Sequence, residues 1–313
     1  MRRRRAFPCH AARRRTEEQT ITDLTCDVAV IGAGTAGLAA ERSARAAGAT
    51  TLLIDDCFVG TTCASVGCMP SKLLIAAAAA AYDVARAGVF GIVVADHHID
   101  GPAVLKRVRS ERDAFVAATC KGIAALPEGV RVQARATFEG TTTLRLDDGR
   151  HVTAKAVVIA TGSHPQMPEV FAPLGDLVLT NETVFDLDDL PRSLAVVGAG
   201  PLGLELAQAM ARLGVETMVF DTGETIGGLD DSHVAEAYHA ILSREMPILL
   251  AVELEAKLDG GDGADGVMLS WSGSASGERR FEYLIVATRR PPRIKDIGLE
   301  TTGLALDDHG MPD

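Results

Sequence analysis

The 313-residue chain has no uncharged apolar run approaching the ~18 residues of a membrane-spanning helix. No bilayer crossing is expected from it. The N-terminal segment lacks the apolar core of an ordinary secretory signal. Six cysteines (9, 26, 57, 63, 68 and 120) are too few and too scattered for a disulfide framework in a chain this long. None forms a C-x-x-C pair or a Cys/His cluster with zinc spacing, so no metal site is expected. A G-x-S-x-G nucleophile elbow is missing as well. Net positive charge is also lacking: the formal charge is −11 and the pI is near 5.2. That balance argues against nucleic acid as the main partner. What is left is a globular, cytoplasmic protein, 47% hydrophobic and long enough for two domains.

The charge is uneven. The first twenty residues hold seven arginines (Arg2 to Arg5, Arg13 to Arg15) against two glutamates. Residues 1–24 therefore read as a disordered Arg-rich extension, with a targeting or anion-binding arm as the alternative. The run Ala76 to Ala81 reads as buried helix, and Gly101 to Leu126 as a helix with apolar residues at one spacing. Short strands are predicted over Val130 to Phe138, Thr142 to Leu146 and His151 to Val152. The Gly/Ser/Asp-rich stretch Asp259 to Gly277 reads as loops. His97, His98 and Asp96 fall in a predicted solvated turn.

Two segments share one plan. Asp27 to Ile31 is a short β-rich run that leads into Gly32-Ala33-Gly34-Thr35-Ala36-Gly37, an Ala-rich helix, and a second strand, Thr51 to Ile54, ending at Asp55. Leu194 to Val197 leads into Gly198-Ala199-Gly200-Pro201-Leu202-Gly203, a helix, and the strand Glu216 to Phe220 ending at Asp221. In both, 23 residues separate the first glycine from the acid. Each is a dinucleotide-binding unit: Gly32 and Gly198 make the tight turn, Gly34 and Gly200 let backbone approach a pyrophosphate, and Gly37 and Gly203 let helix and strand close. The pyrophosphate takes the helix N-terminus, where unpaired N–H groups and the helix dipole favour negative charge. Asp55 and Asp221 are placed to accept from a ribose hydroxyl. A carboxylate at 221 also repels a 2′-phosphate, which predicts NAD over NADP.

Directly after the first unit comes Gly60-Thr61-Thr62-Cys63-Ala64-Ser65-Val66-Gly67-Cys68-Met69-Pro70-Ser71-Lys72. A cysteine pair with four residues between can close into a disulfide, and beside a bound flavin that disulfide can accept electrons. The alternative is a pair of buried structural cysteines. Pro70 is expected to bend the helix that follows. The stretch G-T-T-C-A-S-V-G-C-M-P-S-K resembles the active-site signature of the class I pyridine nucleotide–disulfide oxidoreductases, and the resemblance runs from about Cys26 to the end. Within that family Pro70-Ser71-Lys72 is more similar to dihydrolipoyl dehydrogenase or mercuric reductase than to glutathione reductase.

The resemblance implies an α/β protein with two Rossmann-like, three-layer dinucleotide-binding domains, the second inserted in the first. Residues 25–165 would bind FAD, 166–288 would bind NAD, and 289–313 would return to the FAD domain. Cys63 would be the interchange thiol that meets a dithiol or disulfide substrate, and Cys68 the thiol against the flavin. Lys72, paired with Glu205 of the second glycine motif, would lie near the flavin. Gly60, Thr62, Thr161 and Gly162 would line the FAD site, the last two within Ala160-Thr161-Gly162-Ser163. A mercuric or glutathione reductase-like activity is the near alternative.

Two departures stand out. In Ala287-Thr288-Arg289-Arg290-Pro291-Pro292, Arg289 occupies the family's glycine position. A side chain there would obstruct the nicotinamide dinucleotide or attract its pyrophosphate, and weakened NAD binding is expected. By the resemblance, the chain is also expected to end short of the family's next FAD contact and to lack its dimerisation domain. The expectation is a C-terminally truncated member, impaired in turnover, whose formation of the family's homodimer is in doubt.

Overall fold

The structure, a computed structural model, describes residues 22–260, 265–307 and 311–312. The arginines of the N-terminal arm lie outside the described residues. The chain is α/β and divides into two compact units.

The first unit comprises residues up to 64, 115–164, and 292 onward. Its six-stranded sheet runs β3 (Arg131–Gln133), β2 (Thr51–Asp55), β1 (Leu24–Ile31), β6 (His151–Ile159), β5 (Thr143–Leu146), β4 (Ala136–Phe138). The first four strands are parallel, and the last two join antiparallel. β1 and β2 are rich in β-branched and apolar residues because helix α1 (Thr35–Ala46) covers one face. Ile31, Ile54, Val132, Leu144 and Leu146 make the core on the sheet, and the returning residues Ile294, Ile297 and Leu299 pack against it. The Phe138 amide donates to the Ile297 carbonyl at 2.7 Å. The predicted strand Val130 to Phe138 is two strands on opposite edges of this sheet, and the strand foreseen at His151 to Val152 continues to Ile159.

The second unit comprises residues 65–114 and 165–291. Its parallel sheet runs β10 (Ile248–Leu249), β9 (Glu216–Phe220), β8 (Ser193–Val197), β14 (Tyr283–Val286), β7 (Val178–Leu179). A three-stranded antiparallel sheet adds β11 (Val252–Asp259), β12 (Gly266–Gly273) and β13 (Gly277–Phe281). β12 replaces part of the loop expected over 259–277, because Val267 and Leu269 are fully buried against Phe281. Helix α5 (Pro201–Arg212) buries Leu204, Leu206 and Met210 on the main sheet. Each such side chain contributes roughly 1.5–3 kcal/mol on burial.

Three expectations change here. Residues 65–114 group with the second unit rather than within 25–165. Leu74 and Ala78 of α3 (Cys68–Arg86), and Leu105 and Val108 of α4 (Gly101–Ala124), are buried in the same apolar cluster as Leu204 and Met210. Pro70 does not bend α3: it sits in the first turn, where its missing N–H has no intrahelical partner to lose. Ala76 to Ala81 is not buried as a whole. Ala78 alone is buried, as part of a stripe with Ser71 and Leu74 at helical spacing. The stretch Thr62–Phe90 is also long and apolar enough, by length and composition, to cross a membrane, because its few charges are widely spaced.

Candidate functional site

Both glycine turns lie where a strand of a parallel sheet hands over to a helix, at the strand's carboxyl end. Gly32 has φ +103°, and a Cβ there would come within 2.4 Å of the Ala160 carbonyl oxygen. Gly198 repeats this at φ +115°, 2.6 Å from the Ala287 oxygen. Gly34 and Gly200 behave differently: a Cβ on either would meet nothing within 4 Å. They leave open space at the start of α1 and α5, and neither helix has a side-chain cap. Uncovered N–H groups beside an open surface suit a diphosphate in each unit.

The two acids do more than reach toward a ribose. Asp55 Oδ2 accepts from the Ala33 amide at 2.8 Å, and Oδ1 accepts from Cys57 and Phe58 at 3.0 and 2.8 Å. Asp221 Oδ2 accepts from Ala199 at 2.6 Å, and Oδ1 from Gly223 at 2.7 Å. Each carboxylate therefore pins the second residue of its own glycine turn and keeps lone pairs for a ligand. Asp55, Asp56 and Cys57 also bring ligand atoms within 4.8 Å of one another. Asp55 accepts from the Cys57 and Phe58 amides across this group, which makes it a turn.

The Ala-Thr segments repeat the symmetry. Ala160-Thr161-Gly162 follows β6 and Ala287-Thr288-Arg289 follows β14, each setting its alanine carbonyl against the first glycine of the turn. Gly162 has φ +73°, whereas Arg289 is not left-handed, so the backbone accepts a side chain at 289 without strain. Arg289 and Thr288 are exposed. With Gly200, Pro201, Leu202, Asn181 and Arg290 they line a cavity of about 190 Å³. An exposed arginine can swing clear of that cavity, which removes the steric ground for weakened NAD binding and leaves its charge.

Cys63 lies half-buried in the short helix α2 (Thr62–Ser65) of the first unit, preceded by Gly60, which is left-handed at φ +100°. Cys68 is exposed and is the first residue of α3 in the second unit. The two are not joined in a disulfide in this structure. Lys72 stands one turn beyond Cys68, and its Nζ donates to both oxygens of Glu205, at 2.8 and 2.7 Å. The pair lines a cavity of about 210 Å³ with Ile75, Gln208 and Arg212. Beside it, Arg212 holds Glu245 below the usual carboxylate range through a 2.6 Å contact. His97 and His98 are exposed, outside any helix or strand.

Sequence reading missed Asn181. It is 5% exposed, and its amide joins Arg290 to the carbonyl of Val66, between the two cysteines. A polar residue two positions after the buried pair Val178-Leu179 was the available clue.

A profile described as pyridine nucleotide-disulphide oxidoreductase matches residues 26–312. The chain belongs to the pyridine nucleotide-disulphide oxidoreductase family. Family members use FAD and NAD(H), and the two glycine turns fit those groups. The chain is 33% identical over 305 residues to dihydrolipoyl dehydrogenase 3 of Pseudomonas aeruginosa, covering 91% of this chain and 62% of that protein. It is 31% identical over 294 residues to a mercuric reductase of Streptomyces lividans, covering 91% and 60%. Among solved structures, the HOCl-induced flavoprotein disulfide reductase RclA from Escherichia coli superposes with a TM-score of 0.73 at 20% identity, covering 92% and 62%; this likeness bears on the fold. The chain thus spans about three fifths of the length of these relatives.

Proposed function

We propose that the chain carries the cofactor-binding and dithiol portions of a flavin-dependent oxidoreductase that passes electrons between NAD(H) and a dithiol or disulfide, of the dihydrolipoyl dehydrogenase type. One observation carries the reading. Lys72, one turn past Cys68, is held by Glu205 of the second glycine-turn helix, 133 residues away. A surface lysine has no reason to meet that particular acid, whereas a site that joins a nucleotide unit to a sulfur pair does.

When bound, FAD supplies the two-electron exchange between nicotinamide and sulfur. The chain's own residues do the rest. Gly34 and Gly200 leave amides open to the diphosphates. Asp221 accepts from the ribose of NAD and repels a 2′-phosphate. The oxidised sulfur pair reacts by exchange. A substrate thiolate attacks Cys63 Sγ, a substrate–Cys63 disulfide forms, and Cys68 leaves as thiolate. The second substrate thiol loses its proton to solvent and displaces Cys63, closing the substrate disulfide. The ammonium of Lys72 supplies positive charge one turn from Cys68. A cytoplasmic setting, where thiols are kept reduced, suits this chemistry. Mercuric reduction is the second reading, favoured by the similarity to the Streptomyces lividans enzyme.

The test is a visible spectrum of the purified chain after loading with FAD and dialysis. Retained flavin colour is expected, with a long-wavelength thiolate–flavin band on reduction by NADH that a Cys68→Ser variant lacks. A chain that retains no flavin, or a Cys68→Ser variant that keeps the band, refutes the reading. Dihydrolipoamide and Hg(II), offered in parallel, separate the two substrate classes.

A further inference from the structure

We infer that Asn181 is a positioning residue for Cys68. It ties the turn that presents the thiol to the wall of the nucleotide pocket. The inference rests on the functional reading above, and every residue in it belongs to the second unit.

The geometry allows one arrangement. Asn181 Oδ1 accepts from Arg290 Nη1 at 2.6 Å, and Nδ2 donates to the Val66 carbonyl at 2.8 Å. A guanidinium offers only donors and a backbone carbonyl only acceptor lone pairs. The side chain between them must therefore present an acceptor to one and a donor to the other on a short head. Asparagine does so through its amide, whereas aspartate at neutral pH cannot donate and leucine offers neither. The residue is 5% exposed, so water is a poor substitute for either bond.

Its two ends matter. Arg290 lines the cavity that begins at Gly200, where the dinucleotide would lie. Val66 stands two residues before Cys68, followed by Gly67, the residue that precedes α3 and caps it with no side chain. The first turn of α3 has local ties of its own: the Ser71 amide donates to the Gly67 carbonyl at 3.2 Å, and Ser71 Oγ to the Cys68 carbonyl at 3.1 Å. The incoming chain at Val66 has a different anchor, 115 residues away in sequence. Releasing it frees the segment that sets where the helix starts, and with it the alignment of Cys68 to the helix N-terminus. Thiol reactivity depends on that alignment. Lys72 and Glu205, the charged pair nearest along α3 and α5, are untouched by the change.

The experiment uses the purified chain, wild type and Asn181→Leu, which removes both polar groups and adds no charge. The rate of iodoacetamide labelling of the Cys68 peptide is followed by mass spectrometry at neutral pH, and amide exchange is measured over residues 65–69. The expected result is Cys68 labelling about three-fold slower than in wild type, with faster exchange confined to 65–69. Phe171→Leu, which loosens the sheet core of the same unit, is expected to leave the Cys68 labelling rate unchanged. Should Asn181→Leu not fold, Asn181→Ala removes the same two contacts with a smaller side chain and is read the same way. A labelling rate equal to wild type, or an equal slowing in Phe171→Leu, overturns the inference. Labelling needs neither flavin nor NADH. A chain that fails to bind cofactor sinks the functional reading and leaves this result standing.

Discussion

Replacing Asp221 separates its two jobs. The carboxylate accepts from Ala199 at 2.6 Å and from Gly223 at 2.7 Å, so it fastens the glycine turn to the end of β9. Hydrogen bonds to a charged group contribute about 1.5–3 kcal/mol each. Asp221→Asn keeps one acceptor oxygen and turns an NH2 toward the other amide. One bond is lost and one weakened, for a cost of about 2 kcal/mol. Asp221→Ala loses both, about 3–5 kcal/mol after allowing for non-additivity between neighbours. The assay is urea unfolding, with the midpoint shift read at constant slope. The same Asn variant, and more so Asp221→Arg, removes the charge that opposes a 2′-phosphate. NADPH affinity is expected to rise about tenfold relative to NADH, within the several kcal/mol that a like-charge contact can cost. The reasoning fails on stability if Asp221→Asn unfolds within about 0.5 kcal/mol of wild type. It fails on specificity if wild type already binds NADPH as tightly as NADH.

Other outcomes follow from single features. Lys72 and Glu205 are 56% and 43% exposed, so Glu205→Gln should cost at most about 1 kcal/mol of stability. NADH-dependent reduction of a disulfide acceptor should drop by far more than that cost implies; equal losses in both would reduce the pair to a surface contact. Burial, with Asp27 adjacent, pushes the Cys26 thiol up from 9.0 to about 11. The folded state thereby favours the neutral thiol. That stabilisation is complete below about pH 9 and is lost as pH rises toward 11. Cys26 should resist iodoacetamide at pH 8 while exposed Cys68 reacts, and equal labelling rates would contradict this. Arg212 depresses Glu245, whose contribution is present at neutral pH and lost as pH falls through the carboxylate range. Glu245→Gln should thus lower the melting temperature at pH 7 and converge with wild type in acid. Arg289→Gly should weaken NADH binding a few-fold at low salt, with the difference vanishing near 1 M, where charges are screened within about 3 Å. A salt-independent effect would point to shape instead.

Much of the site could be read in advance because its demands are local. Gly32 and Gly198 must be left-handed and free of Cβ, and no other residue meets both conditions. Asp55 and Asp221 announced themselves through a common spacing, yet their bonds to Ala33 and Ala199 did not, since a strand's last side chain can aim several ways. Pairing of Lys72 with Glu205 was foreseen only through a family resemblance. Composition offers no rule that joins residues 133 positions apart. The grouping of 65–114 was misjudged for a related reason: the apolar stripe Leu74–Ala78 says that a face is buried, not against which sheet. Asn181 escaped altogether, because a buried amide is defined by its two partners.

The amino-acid order alone determined the two strand–turn–helix units, their backbone conformation and their acids, because steric exclusion and hydrogen bonding act within a few residues of chain. Tertiary structure alone decided which unit takes the cysteine helix, which carboxylate holds Lys72, and where the turn before Cys68 is anchored. Those choices depend on which distant surfaces exclude water together, and on which donor then finds which acceptor.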